Sequence, residues 1–222
     1  MVHVALLDGG VGWMEGLRVH PDFRRRGVGR AIDTVARAFA RERGCHLARL
    51  STSIRNVAAH QLLAAQGYVR LAQFGEWNAK PARRRFADAR IATRTDACAI
   101  LARWRESSMR PALLANRHWQ WVALTEVNVH EQADAGEIRV MPCGFSILRA
   151  FDEDDWSGLI LHALVGDAET MRALALAARG EAKYRGYPHV EAMLIECPPL
   201  NATLESAGYR RDGGMFIYEQ GL

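Results

Sequence analysis

Three consecutive arginines, Arg24, Arg25 and Arg26, run straight into Gly27-Val28-Gly29, and a helical pattern begins there. Ahead of them a strand-like run, Gly12 to Val19, stops at Pro21. That order suits a diphosphate. Bare backbone N–H groups at a helix N-terminus, ringed by positive charge, bind an anion, and glycine lets the backbone come close. A dinucleotide fingerprint would need a third glycine at Ile32, and a phosphate loop would need Gly-Lys-Ser/Thr. Both are missing.

Other residues with chemical potential are fewer. Glu15 shares the period-two face of Trp13, Leu17 and Val19. A carboxylate there could take a proton from an acceptor ammonium, or simply be a solvated strand residue. His20, beside Pro21, reads as a turn residue. Trp119-Gln120-Trp121 could line a cleft, but large aromatics more often pack. The four cysteines Cys45, Cys98, Cys143 and Cys197 form no C-x-x-C pair and no zinc-like grouping. They read as free thiols in a reducing compartment, with no metal site.

The elements that must position these residues follow from periodicity. Val28, Ala31, Ile32, Val35, Ala36, Phe39 and Ala40 have helical apolar spacing, with Arg30, Asp33, Thr34, Arg37 and Arg41 on the other face and Gly44 as the stop. His46 to Ser53 is a strand candidate, Asn56 opens a short helix, and Tyr68 to Trp77 returns as a strand. The alternation is that of an α/β (α+β) fold with a mixed central sheet flanked by helices. Lys80-Pro81-Ala82-Arg83-Arg84-Arg85 reads as a linker. Beyond it, helices are expected over Asp96 to Arg105 and Ala168 to Tyr184. Strands are expected over Glu137 to Val140, Gly144 to Arg149 and Leu159 to Val165.

The second part repeats the first. Arg43-Gly44 ahead of His46-Leu47 matches Arg185-Gly186 ahead of His189-Val190, and Gly67-Tyr68-Val69-Arg70 matches Gly208-Tyr209-Arg210-Arg211. The expected domains are residues 1–85 and 86–222, two copies in tandem. From strand end to glycine the first copy runs 25 residues, Val19 to Gly44, and the second 21, Val165 to Gly186. The shorter turn reads Gly166-Asp167-Ala168-Glu169. Its acidic side chains would repel a diphosphate.

At 222 residues and a net charge of +4 the chain has ordinary globular composition. No apolar run approaches ~18 residues, so no membrane span is expected. Met1-Val2-His3-Val4 does not open a signal peptide, which points to the cytoplasm. The modest charge makes nucleic acid a poor partner.

With strand, arginine-glycine turn, helix, strand and Asn-led helix in this order, residues 12 to 77 resemble the GCN5-related N-acetyltransferase (GNAT) superfamily. Arg24-Arg25-Arg26-Gly27-Val28-Gly29 fits its Arg/Gln-x-x-Gly-x-Gly/Ala acyl-CoA motif. Residues 91 to 222 resemble the same fold more weakly, through the repeat. The resemblance implies acetyl-CoA or another acyl-CoA as donor and an amine of a small molecule or peptide as acceptor, attacked directly in a ternary complex. It implies that backbone groups of Leu17, Arg18 and Val19 pair with pantetheine and that amides from Arg25 to Arg30 meet the pyrophosphate. It makes Asn56 a pantetheine partner, although Asn56 equally reads as a helix N-cap. A homodimer is compatible with it. Two departures stand out. Leu63 occupies the position where many members carry a proton-donating tyrosine, which raises a non-catalytic CoA-binding sensor or scaffold as the alternative. Only Met1 to Gly10 precede the motif strand, fewer residues than the family fold has there, so the start lies further upstream, another segment or chain fills the gap, or an open sheet edge is left.

Overall fold

Asp8-Gly9-Gly10 folds the two runs flanking it into a hairpin. β1 (His3–Leu7) pairs antiparallel with β2 (Val11–Glu15), with His3 opposite Glu15 and Leu7 opposite Val11. α1 (Val28–Glu42) then crosses to β3 (Leu47–Ser53), which lies parallel to β2. α2 (Val57–Ala65) and β4 (Val69–Ala79) follow. The computed structural model describes residues 1–83, 89–107, 114–117, 119–153 and 156–222, without the side chains of 114–117 and 153. Arg84 and Arg85 of the second arginine run lie outside them.

The later elements are β5 (Arg90–Ile91), α3 (Ala97–Glu106), β6 (Leu114–Arg117), β7 (Gln120–Ala123), α4 (Glu126–Asp134), β8 (Ile138–Met141), β9 (Gly144–Glu153), β10 (Trp156–Val165), α5 (Ala168–Arg185), β11 (His189–Ile195), α6 (Pro198–Ser206) and β12 (Arg210–Gly221). β9 and β10 form an antiparallel pair, and α5 crosses from β10 to the parallel β11. The order of hairpin, crossover helix, parallel strand, short helix and final strand therefore occurs twice.

Matching bonds underlie that repetition. Gly44 and Gly186 both take positive φ after a crossover helix, as Gly67 and Gly208 do after a short one. Tyr68 N–H donates to Leu63 O, and Tyr209 N–H donates to Leu204 O. The Tyr68 hydroxyl then reaches Asp33 of α1, and the Tyr209 hydroxyl reaches Ala175 O of α5.

Packing divides the chain differently from sequence. One compact unit is Met1–Gln73 with Met215–Leu222, and the other is Phe74–Gly214. In the first, β12 lies antiparallel against β3, from Met215 opposite Ser53 to Gly221 opposite Leu47. In the second, β4 lies antiparallel against β11, from Phe74 opposite Ile195 to Ala79 opposite Val190. The two sequence copies thus trade their final strands. β1 is the outer strand of the first unit.

α1 and α2 share a core with the sheet of the first unit, built from Met14, Ala36, Ala40, Ala48, Leu63, Tyr68 and Tyr218. The apolar stripe expected on α1 is rotated. Val35 and Phe39 are exposed, whereas Asp33, assigned by periodicity to the polar face, is 3% exposed. The reason is local. Asp33 accepts hydrogen bonds from Tyr68 Oη, Gln66 Nε2 and Arg37 Nε, so its buried charge is paired and satisfied. Burial, reinforced by the Asp33 charge, pushes the Tyr68 phenol far above its ordinary pKa.

Candidate functional site

The strand read as Gly12 to Val19 is broken at Gly16, whose φ is +65°. His3 stands opposite Glu15, but the next pair is Met1 with Arg18: Arg18 N–H donates to Met1 O at 2.9 Å, and the Met1 ammonium donates to Arg18 O at 2.8 Å. Val2, just ahead of β1, faces two residues, Gly16 and Leu17, which is a β-bulge with glycine at its left-handed position. The bulge inverts the faces. Gly12 and Met14 look toward α1, because a methyl group at Gly12 would meet Ala40 and Met14 packs with Ala36 and Ala40. Trp13 and Glu15 therefore point the other way. Beyond the bulge, Leu17 and Val19 face α1: a methyl group at Gly29 would stand 4.0 Å from Leu17 Cδ2 and 3.8 Å from Val19 Cγ2. The expectation that Glu15 and Val19 share a face is corrected accordingly.

The bulge also marks a separation of strands. β2 pairs with β3 only from Val11 opposite Leu47 to Trp13 opposite Arg49, yet β3 stays paired with β12 as far as Ser53. From Leu50 onward β3 has lost β2, and a split opens between them. Both backbone groups of Arg18 are spent on Met1, so Arg18 does not offer the strand edge expected of it. The neighbouring groups, Leu17 N–H and C=O and Val19 N–H, alternate to the opposite side. Val19 O accepts from Arg24 Nε at 3.1 Å.

The arginine-glycine turn stands past the end of that strand. A 3-10 turn over Pro21–Phe23 leads into Arg25 at φ +57° and Gly27 at φ +79°, which is the N-cap of α1. Gly27 makes no side-chain cap, and the first helical bond runs from Ala31 N–H to Gly27 O. The amides of Val28, Gly29 and Arg30 therefore have no intrahelical acceptor, and the helix dipole adds positive potential. Arg24, Arg25, Arg26 and Arg30 are all exposed around them. Nothing stands within 4 Å of where a Gly27 Cβ would be. The cradle is open, cationic and lined with backbone donors, which fits a diphosphate.

Asn56 is the N-cap of α2. Its Oδ1 accepts from Ala59 N–H and its Nδ2 donates to Thr52 Oγ1, each at 3.2 Å. Leu63 is 5% exposed and packs in the core of the first unit, so it serves neither proton transfer nor a cleft. One turn earlier on α2, His60 accepts at Nδ1 from the Tyr218 hydroxyl at 3.0 Å, and its Nε2 faces Ile54 O. Sequence periodicity missed this pair because Tyr218 arrives on the exchanged strand. It also missed His3, whose Nδ1 lies 2.6 Å from Glu15 Oε1. The Asp8-Gly9 turn was the available signal for that cross-strand contact. Trp121 is fully buried, edge-on to Phe74, whereas Trp119 is exposed. Among the described residues no group of three His, Cys, Asp or Glu could hold a metal.

Residues 1–68 match the model of the Acetyltransferase (GNAT) family. That match takes in the arginine-glycine turn, α1, β3 and α2. Over the remainder it is the fold that agrees. The structure is similar to a GCN5-related N-acetyltransferase from Sphaerobacter thermophilus, with a TM-score of 0.68 at 14% identity, covering 99% of this chain and 76% of that one. It is also similar to a tandem GNAT protein from the clavulanic acid biosynthesis pathway, with a TM-score of 0.58 at 17% identity, covering 99% of this chain and 78% of that one. No curated protein sequence matches the chain. The family match over residues 1–68 and the fold likeness over the whole length agree with each other.

Beyond residue 86, a cleft lies at the place that corresponds to the arginine-glycine turn. About 190 Å³ in volume, it lies between the end of β10 and the start of α6 and is lined in part by Val165, Gly166, Met171, Cys143, Cys197 and Leu200. Its helix start is closed. Asp167 caps α5, with Oδ1 accepting from Thr170 N–H at 2.7 Å, and that bond holds the carboxyl below its ordinary pKa. The protein's own carboxylate occupies the anion position of this helix.

Proposed function

We propose that the protein moves an acetyl or related acyl group from acetyl-CoA to an amine of a small molecule or peptide in the cytoplasm, by direct attack in a ternary complex, with CoA held by the first copy alone. The observation that carries this reading is the meeting of the open α1 N-terminus with the split between β2 and β3. One feature suits a diphosphate, and the other suits an extended arm that adds to a strand edge.

Acetyl-CoA supplies the activated acyl carbon as a thioester. The amides from Arg25 to Arg30, including those of Gly27, Val28 and Gly29, hold the diphosphate, and Arg24, Arg25 and Arg26 neutralise it. Leu17 N–H and C=O and Val19 N–H offer strand-like hydrogen bonds to pantetheine. Asn56 contributes by turning Nδ2 from Thr52 to the same arm. Glu15, on the far face of the sheet just before the bulge, belongs to the base that prepares the amine. Thiol release from acetyl-CoA, measured with spermidine, glucosamine and a lysine peptide in turn, tests this. Amine-dependent release is expected with at least one of them.

The core position of Leu63 favours a second reading, a CoA-binding sensor or scaffold without turnover. Tight acetyl-CoA binding with no thiol release in that panel would select it.

A further inference from the structure

We propose that His3 is the proton acceptor of this transfer and that Glu15 is the positioning carboxylate that holds it; the inference rests on the acyl-transfer reading above. The hairpin places the two residues directly opposite, with Nδ1 of His3 2.6 Å from Oε1 of Glu15. An ionised carboxylate only accepts, so the ring nitrogen facing it carries the proton. That leaves Nε2 as the lone pair, directed away from the contact. The His3 side chain is 66% exposed and Glu15 40% exposed, so the ring is reachable by an incoming amine.

Position and basicity both favour the pair over Glu15 alone. Glu15 is the first outward side chain past the last β2–β3 pair, on the face opposite α1 and immediately before the Gly16 bulge. An arm that starts at the α1 N-terminus and threads the split brings its acyl end to that face. The other charged groups nearby on the sheet, Arg49 on β3 and Glu219 on β12, are committed to each other. A water-exposed carboxylate is a weak base near neutrality, whereas an imidazole is matched to it. The division of labour follows the general rule that a carboxylate fixes the tautomer and orientation of a basic histidine.

His3 Nε2 takes one proton from the acceptor ammonium and passes it to water. The amine nitrogen bonds the carbonyl carbon, the carbon–sulfur bond breaks, and a second nitrogen proton ends on the thiolate. The products are the amide, CoA thiol and one released proton.

The test compares the full-length wild type with His3→Gln and Glu15→Gln, using acetyl-CoA and whichever panel amine the wild type accepts. His3→Gln is expected to lower kcat about 100-fold and to abolish the rise of kcat/KM with pH through the histidine range, with acetyl-CoA affinity by calorimetry unchanged. Glu15→Gln is expected to lower kcat less and to leave KM for the amine unchanged, because the carboxylate that fixes the tautomer and orientation of the ring is lost. A merely structural cross-strand pair would not move the pH profile. Wild-type kcat and profile in His3→Gln would overturn the dyad while leaving acyl transfer intact. No amine-dependent release by the wild type would overturn both.

Discussion

The turns that enter α1 and α5 do the same topological job with opposite chemistry. Each leads from a hairpin strand into the helix that crosses to a parallel strand. Gly27 leaves three amides of α1 open, with arginines around them, whereas Asp167 closes the start of α5 with its own carboxylate. A helix start can be kept for a ligand or sealed by the protein, and sealing it stabilises the helix. α1 forgoes that stabilisation and is held further along, where buried Asp33 gathers Tyr68, Gln66 and Arg37. The corresponding tyrosine of the second copy, Tyr209, needs only the Ala175 carbonyl. The helix with the open start is thus tied down by a buried carboxylate that gathers three donors, whereas the tyrosine after the sealed helix makes a neutral bond to a backbone carbonyl.

Substitutions can break this contrast. The largest effect is expected for Asp33→Ala, which strands three donors and should cost about 3 kcal/mol of unfolding free energy. Its counterpart Tyr209→Phe removes one neutral bond and should cost about 1 kcal/mol. Chemical denaturation of both variants measures the difference, and equal losses would erase the asymmetry. Arg24→Ala should weaken acetyl-CoA binding roughly 5- to 10-fold by removing a charge and the bond that steadies Val19 O. Arg172→Ala on α5 should leave binding unchanged. The smallest effect concerns acid. The Thr170 N–H depresses the Asp167 carboxyl, so its stabilisation is fully present above the unfolded value near pH 4 and fades as pH falls through the native one. Asp167→Asn should flatten that part of the acid melting profile, whereas α1, capped by Gly27, has no cap carboxylate to lose.

Local pattern carried much of this architecture. The crossover helices, the αL glycines after them and the Gly-Tyr pairs are short-range signals, and they lie where spacing placed them. The arginine-glycine turn was legible for the same reason. Three features were not. The Gly16 bulge inserts one residue and inverts every face beyond it, which period-two reading cannot detect without the partner strand. The burial of Asp33 depends on Gln66 and Tyr68, which follow α2, as well as on Arg37 of its own helix. The exchange of β4 and β12 is a pairing between residues far apart in sequence, where Tyr218 meets His60 across 158 positions. No local propensity encodes that meeting.

One helix start, and only one, is expected to bind the CoA diphosphate. Calorimetric titration of acetyl-CoA into the wild type, Gly27→Glu and Asp167→Ala measures it most directly. A carboxylate at Gly27 would enter the cradle on a backbone at φ +79°. One site per chain is predicted, lost or weakened at least about 100-fold in Gly27→Glu and retained in Asp167→Ala with the same stoichiometry. Two sites per chain in the wild type, or unchanged binding in Gly27→Glu, would contradict it.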